Sequence, residues 1–160
     1  MRAVLLTSLA LLGVVALVSS QSSEKNYRFQ QDGILLEPLR TEDLDYGCGC
    51  FFHVPIGDKG MGDFLVTWLL DETAKIRVNG HLTRLRVVSD RSEHTAGEIA
   101  LGQKRTFLLE NDGVSVHINC TTSRLCEPGG ECESIGYDGE MLISDGAYQA
   151  RFEIRGGCGC

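Results

Sequence analysis

Several signatures of catalysis and of nucleotide binding are missing from this chain of 160 residues. Its histidines, at positions 53, 81, 94 and 117, form no His-x-His, no Glu-x-x-His and no helical i, i+4 pair that would hold a metal. The serine-nucleophile motif Gly-x-Ser-x-Gly is absent. The glycine-rich stretch 57–62 lacks the Gly-Lys-Ser/Thr ending of a phosphate loop. We therefore predict no catalytic residue and no cofactor, a non-enzymatic protein, and histidines that mostly lie at the surface.

Helix-length periodic stretches are also missing beyond the first 20 residues. The best helical candidate, 97–105, is short and has no convincing cap. Apolar residues come instead in short bursts separated by Gly, Asp and Asn, which is typical of strands joined by hairpins. The absence of helical segments excludes an α-helical or α/β domain and favours an all-β one.

Three turns carry this prediction. Asn79-Gly80 lies between two β-prone runs, and both residues accept the positive φ angles of a two-residue hairpin turn. The segments 111–113 and 144–146 separate further pairs of strands. In the last strand, apolar residues alternate with polar ones and predict one buried face: Tyr148, Ala150, Phe152 and Ile154. Seven to nine such strands favour an antiparallel β-sandwich or a small barrel.

Basic residues are in deficit, 15 against 22 acidic ones. An acidic chain is repelled by phosphate backbones and by anionic lipid surfaces. We therefore expect no nucleic-acid partner. The charge favours a basic protein, or a component of the cell envelope, as the partner.

The one long apolar run lies at the start of the chain, behind the single positive residue Arg2. Its length, about 16 residues, falls short of the ~20 that a spanning helix needs. Small residues, Ser19 and Ser20, follow it, and the chain from Gln21 onward is polar. This is the layout of a cleaved signal peptide, with an uncleaved membrane anchor as the alternative. We predict cleavage after Ser20, a secreted or periplasmic location, and no membrane insertion afterwards.

Removal of residues 1–20 takes away Arg2 and no acid, so 14 basic residues remain against 22 acidic ones, a formal charge of −8. Residues 21–32 are polar and without a sustained period, which predicts a flexible leader. Residues 33–160 have the length of one domain with its own hydrophobic core. We predict a single β-rich domain over that range.

The seven cysteines form the most informative pattern in the sequence. Gly-Cys-Gly-Cys occurs twice, at 47–50 and at 157–160, and three cysteines lie between the copies. In extended backbone the two sulfurs of one Cys-Gly-Cys lie on the same face, with Cα atoms roughly 6.6 Å apart. A disulfide needs Cβ atoms about 3.8 Å apart, so a bond within one copy is disfavoured. The sequence therefore predicts disulfides between the copies, on neighbouring strands, which tie the ends of the domain together.

Two registers are open for these bonds. Antiparallel neighbours give Cys48–Cys160 and Cys50–Cys158, the pairing we favour, whereas parallel neighbours give Cys48–Cys158 and Cys50–Cys160. Either pairing closes a loop of about 110 residues, and the first such bond contributes roughly 4–5 kcal/mol by chain entropy.

The middle cysteines follow a different pattern. Cys126 and Cys132 flank a Pro-Gly-Gly turn, so a local Cys126–Cys132 disulfide is sterically easy. Cys120 continues the apolar alternation of its strand, which predicts a buried free thiol. Bonds from Cys120 to Cys126 or Cys132, or to another chain, are the alternatives.

The alternative function is metal binding, in which the thiolates of Cys48, Cys50, Cys158 and Cys160 would hold Cu(I) or Zn²⁺. The Cys-x-Cys spacing is narrower than that of usual zinc sites, and an oxidising compartment favours disulfides. We therefore predict no metal and a stabilising role for these cysteines.

Overall fold

The computed structural model describes residues 28–45, 47–56, 63–69, 73–92, 99–126 and 134–159, and these contain ten strands, one 3₁₀ turn and no α-helix. The strands are β1 (Phe29–Gln31), β2 (Ile34–Glu37), β3 (Gly49–His53), β4 (Val66–Leu69), β5 (Thr73–Val78), β6 (His81–Ser92), β7 (Lys104–Glu110), β8 (Val114–Arg124), β9 (Ser134–Asp145) and β10 (Tyr148–Gly159). Lys104 and Arg105, which end the best helical candidate of the sequence, belong to β7.

Eight consecutive strands, β3 to β10, form a closed antiparallel barrel. Each strand pairs with the next along the chain, and β10 pairs back with β3. Closure leaves no free edge in these eight strands. The prediction of an all-β fold is confirmed, and of the two predicted architectures the barrel is the one that forms.

The predicted hairpins form, each with turn chemistry that suits it. Asn79 and Gly80 have φ angles of 52° and 83°, the pair of positive values that a type I′ turn needs. Asn111 accepts hydrogen bonds through Oδ1 from the backbone N–H groups of Gly113 and Val114, at 3.0 and 2.8 Å. Gly146, with φ of 59°, turns β9 into β10.

The barrel interior is filled by alternate side chains, with an aromatic cluster at its centre. Phe52 and Trp68 stack with ring centroids 5.7 Å apart, and Phe107 meets Trp68 edge-on at 5.0 Å. Such rings bury large areas and add specific contacts. An eight-stranded barrel is just wide enough for its side chains to fill it, and here the aromatic cluster occupies the centre.

One end of the barrel is covered by β2. Ile34 and Leu36 are fully buried in the main core, and β2 pairs with the end of β5 at Val78. The turn before β2 reaches the start of β10, where Gly33 packs so closely on the ring of Tyr148 that a Cβ would collide with it. We call this the closed end, and the opposite one the polar end.

The β1–β2 hairpin includes residues 29–31, which were predicted to belong to the flexible leader. Residues 29–31 pair with β2 through a turn at Asp32-Gly33, where both φ angles are positive. The Asp-Gly turn is a recognised hairpin signal, and Phe29 packs against the core. The ordered region therefore begins before residue 33, and the rest of the predicted leader, 21–27, lies outside the described residues.

A buried ion pair fixes the chain to the outside of the barrel after β2. The 3₁₀ turn Thr41–Asp43 places Asp43 against β5, where its carboxylate accepts from Arg77 at 2.6 and 3.0 Å. Burial would raise the pKa of Asp43, but hydrogen bonds from Arg77 and from the Arg40 backbone outweigh it and hold that pKa low. Lys75 adds a 2.6 Å ion pair to Asp45.

The seam between β3 and β10, which closes the barrel, is unusually tight. Cys50 and Cys158 are directly opposed there and form a disulfide with Cα atoms 4.0 Å apart. A Cβ at Gly49 would overlap the backbone of Trp68, and one at Gly156 would overlap the carbonyl of Phe51. Glycine at these two positions lets three strands approach closely where the barrel closes.

Candidate functional site

A cavity of about 260 Å³ lies at the polar end of the barrel. Its described lining is Asp90, Ser92, Ile99, Lys104, Arg105, Thr122 and Tyr137. This set combines two cationic side chains, one carboxylate, three hydroxyl groups and one apolar side chain. The volume is a little under the ~300–1,000 Å³ of sites that take drug-sized ligands, so the cavity suits a small molecule.

Arg105 points inward because it lies in phase with the apolar face of β7. Phe107 and Leu109, at steps of two residues, are fully buried in the core. Residues two apart on a strand share one face. A charged residue therefore continues an apolar row, at the point where that row reaches the end of the barrel.

Asp90 reaches the same face through an irregularity in β6. Val87 pairs with Leu109, but Ser89 pairs with Leu108, so Val88 is an extra residue between them. Such a bulge reverses the inward and outward alternation beyond it. As a result Asp90, opposite Phe107 on β7, joins the interior face.

The two side chains form a bidentate ion pair. Nε of Arg105 donates to Oδ1 of Asp90 at 2.8 Å, and Nη2 donates to Oδ2 at 2.6 Å. Nη1 donates to the hydroxyl oxygen of Tyr137 at 2.9 Å. The guanidinium carbon also lies 4.7 Å from the centre of the Phe107 ring, within the range of a cation–π contact.

These contacts fix the charge state of Arg105. Hydrogen bonding to Asp90 raises the pKa of Arg105 well above its usual range, against burial, which lowers it, and Tyr137 adds to the rise. The guanidinium therefore stays protonated at every pH at which the fold exists. The described part of the lining therefore holds this cation next to the carboxylate of Asp90.

The rim of the cavity is formed by the connection before β7. The backbone N–H of Gly102 donates to the carbonyl of Thr122 at 2.9 Å, and the backbone N–H of Thr122 donates to the carbonyl of Gln103 at 2.8 Å. Ile99 and Leu101 then stand 40% and 61% exposed beside the polar lining. The polar end thus places apolar surface next to a group of hydrogen-bond donors.

The structure pairs Cys50 with Cys158 in an antiparallel register, which confirms that predicted disulfide. Cys48 and Cys126 are also disulfide-bonded. Their predicted partners, Cys160 and Cys132, lie outside the described residues, so the pairings Cys48–Cys160 and Cys126–Cys132 stay predictions. The antiparallel register of the described seam, with Gly49 opposite Gly159, favours the first of these predictions.

Cys120 is a free, buried thiol, as the alternation of β8 predicted. Burial raises its pKa to about 12, and its sulfur donates to the carbonyl of Arg105 at 3.5 Å. A thiol with so high a pKa carries almost no thiolate at neutral pH and is a poor nucleophile. Cys120 therefore belongs to the core rather than to a reactive site.

The metal hypothesis needs four thiolates at the ends of the domain. Two of those sulfurs, on Cys50 and Cys158, are bonded to each other. Among the described residues, no three side chains of His, Cys, Asp or Glu converge on one point. Metal binding at Cys48, Cys50, Cys158 and Cys160 therefore requires reduction of the seam.

A second, shallower depression of about 410 Å³ lies on the outer face of β8 to β10. Its acids are largely paired: Asp138 with Arg155 at 3.4 Å, and Glu140 with Arg151 at 3.0 Å. In the next strand, β3, His53 is opposite Arg155 and is only 4% exposed. The expectation that histidines mostly lie at the surface does not hold for His53.

Sequence reasoning missed the polar cavity. Arg105 interrupts the apolar alternation of β7, and that interruption was the available signal, whereas Tyr137 continues the buried row of β9 and gave none. Asp90 gave none, because a strand without the bulge would turn Ser89 and Arg91 inward instead.

No family model matches the sequence, and no curated protein and no solved structure matches it either. Within the described residues, no helix has the length and hydropathy that crossing a bilayer requires.

Proposed function

We propose that this protein is an exported, disulfide-stabilised binding domain without enzymatic activity, and that it binds a small molecule at the polar end of its barrel. The observation that carries the proposal is the contrast between the two ends. Apolar side chains from β2 fill the closed end, whereas Asp90, Arg105 and Tyr137 surround a cavity at the other. Ligand sites are typically concave, with a few fixed polar groups on a rigid frame.

The frame supports this role because the polar groups do not move independently. Arg105 is held on three sides, by Asp90, by Tyr137 and by the ring of Phe107. A side chain ordered before binding loses little conformational freedom when a ligand arrives. The disulfide Cys50–Cys158 lies in the same half of the barrel and keeps its seam closed.

A fragment screen followed by ¹⁵N–¹H correlation spectra tests the proposal. We expect the amide shifts of the strongest hits to cluster at residues that line the cavity, such as Ser92, Arg105 and Thr122. The probes are neutral, anionic and cationic compounds of one aromatic ring, a size that matches the cavity. Hits that cluster elsewhere, or no hits at all, would contradict a binding site at this end.

A matched pair of variants supplies the control. Ser92 lines the cavity on β6, and Ser89 lies on the outer face of the same strand, opposite Leu108. Ser92→Trp fills the cavity and should abolish the binding of the hits, whereas Ser89→Trp should leave it within about twofold. Equal effects of the two substitutions would show that the hits bind outside the cavity.

Export is a separate part of the proposal, supported by residues 1–20 and by the disulfide content of the domain, since disulfides persist in oxidising compartments. A fusion of residues 1–30 to a reporter that is active only after export should be active. The same fusion without residues 1–20 should be inactive, and N-terminal sequencing of the exported product should begin at Gln21. An inactive full fusion would refute export.

We propose in addition that the domain has a partner of complementary charge, a basic protein or an envelope component. The formal charge of −8 for residues 21–160 supports it. The pairing of Asp138 and Glu140 with arginines weakens the case for the outer depression as its docking point. The test is binding to a column that carries an immobilised basic protein. Binding that is lost at about 0.3 M salt would show general charge attraction rather than a specific partner.

A further inference from the structure

We infer that the ligand of the polar end carries a carboxylate, and that the carboxylate binds to the Nη1 and Nη2 groups of Arg105. This rests on the proposed function and names the class of molecule that the cavity selects. The inference comes from the hydrogen-bond inventory of one side chain. A guanidinium carries five N–H groups in a fixed fork.

Three of these five N–H groups donate hydrogen bonds to acceptors of the protein. The carboxylate of Asp90 accepts from the Nε–H and from one N–H of Nη2, and the hydroxyl oxygen of Tyr137 accepts from one N–H of Nη1. For the other N–H of Nη1 and of Nη2, the described residues supply no acceptor. Two such donors match the two oxygens of a carboxylate, the planar pairing for which arginine is better suited than lysine.

Tyr137 contributes to the same point. Its oxygen accepts from Arg105, so its own O–H hydrogen is left to donate. Tyr137 is 2% exposed, and its ring lies 5.8 Å from the guanidinium carbon. The donors of Arg105 and Tyr137 thus lie side by side in a half-buried setting, where a charge-assisted hydrogen bond is stronger than in water.

The size and the rim narrow the class further. A cavity of about 260 Å³ holds a molecule of roughly one ring with its acid group. Ile99 and Leu101 offer apolar contact at the rim. The class is therefore a small organic carboxylate with an apolar body.

Asp90 is a positioning residue in this arrangement, and it also limits affinity. It orients the fork of Arg105, yet its negative charge lies next to the incoming carboxylate and weakens the attraction. This double role determines the direction in which the affinity for a carboxylate should change when Asp90 is substituted. Asp90→Asn keeps an oxygen for Arg105 and removes the charge, so a carboxylate should bind about tenfold more tightly, the opposite of the loss expected from damage to the site.

The experiment is calorimetric titration of the full exported chain, with its disulfides intact, with benzoate, benzyl alcohol, benzylamine and inorganic phosphate. We expect benzoate to bind at least tenfold more tightly than benzyl alcohol or benzylamine, and more tightly than phosphate. Asp90→Asn should tighten benzoate and leave benzyl alcohol unchanged. Arg105→Lys should weaken benzoate about tenfold, with circular dichroism to verify the fold.

The outcomes separate the two proposals. If benzyl alcohol or benzylamine binds in the cavity as tightly as benzoate, the carboxylate inference is wrong and the binding domain stands. Tighter binding of phosphate than of benzoate also overturns the inference, since a tetrahedral anion would then be the preferred ligand. If Asp90→Asn does not increase the affinity for benzoate, the carboxylate does not bind at Arg105 next to Asp90, and the inference is wrong. If none of the four probes binds at the polar end and the fragment screen is empty, both proposals fail.

Discussion

Asp90 and Arg105 form their bidentate ion pair at the polar end of the barrel because Val88 bulges out of β6. The extra residue reverses the alternation of the strand, so a carboxylate that would otherwise face solvent meets a guanidinium on the interior face. Bulges recur where a strand must redirect a side chain near a functional site. One extra residue in β6 thus decides that a carboxylate, rather than Ser89 and Arg91, lies on the interior face next to Arg105.

The hydroxyl group of Tyr137 should contribute measurably to stability. Tyr137→Phe removes the acceptor of Nη1 in Arg105 and leaves a half-buried donor without it, so we expect a loss of about 1–2 kcal/mol. Tyr148 is 57% exposed, and Tyr148→Phe is the matched control, with an expected change below about 0.5 kcal/mol. Urea unfolding of both variants measures the difference, and equal losses would contradict the role given to Tyr137.

The ion pair between Asp43 and Arg77 should be worth far more than its surface counterparts. Arg77→Met leaves the carboxylate of Asp43, which is 4% exposed, buried without its cation, and such a loss costs about 3–5 kcal/mol. Arg151 and Glu140 form an exposed pair at 3.0 Å, so Arg151→Met should cost less than about 1 kcal/mol. Chemical denaturation at pH 7 distinguishes the two, and a similar cost for both would refute the buried pair as a fixed point.

His53 should make the fold sensitive to mild acid. Burial lowers the pKa of His53, Arg155 lowers it further, and Asp138 opposes both. In the unfolded chain this histidine has a pKa near the ordinary 6.5, so it binds a proton at a higher pH than His53 does in the folded chain. The free energy of unfolding falls as the pH drops below about 6.5, by at most ~1.4 kcal/mol per pH unit.

Substitution of His53 isolates this effect. His53→Leu removes the proton acceptor, and with it Nδ1, a buried atom that has no hydrogen-bond partner among the described residues. Unfolding midpoints between pH 5 and 7.5 should then vary less than in the parent. His81→Leu, at an exposed position, should keep the parent's slope. If His53→Leu keeps that slope too, His53 is not the group that titrates.

The thiol of Cys120 should be inert in the folded protein. Its raised pKa, about 12, and its burial predict no reaction with a thiol reagent such as dithionitrobenzoate at pH 8. One equivalent should react in guanidinium, at the rate of unfolding. Rapid reaction of native protein, abolished by Cys120→Ala, would place this thiol at the surface instead.

Local patterns predicted the strands well because each pattern was self-contained. The Asn79-Gly80 turn needs only two residues with positive φ. The alternation of β10 correctly predicted the burial of Ala150, Phe152 and Ile154, but it was wrong for Tyr148, which is 57% exposed at the start of the strand. The bond Cys50–Cys158 followed from the geometry of extended Cys-Gly-Cys segments. Closure into a barrel did not follow, since a sandwich of the same strands would show the same alternation.

The candidate site was out of reach for a related reason. It joins Asp90, Arg105 and Tyr137 from three strands, and the contribution of Asp90 depends on a bulge that no turn residue announces. The burial of His53 likewise comes from tertiary packing around the end of β3. Neighbours far apart in the chain decide these features, and a single sequence does not display them.

The most direct test of the disulfide-closed barrel is a crosslink map of protein purified from its natural compartment without reductant. Peptide mass spectrometry should find Cys50 joined to Cys158, with Cys120 as the one free thiol. That result would place the seam bond in the working protein and direct the search for function to the polar end. Free thiols at Cys48, Cys50, Cys158 and Cys160, with stoichiometric copper or zinc, would contradict the account and make metal binding the function.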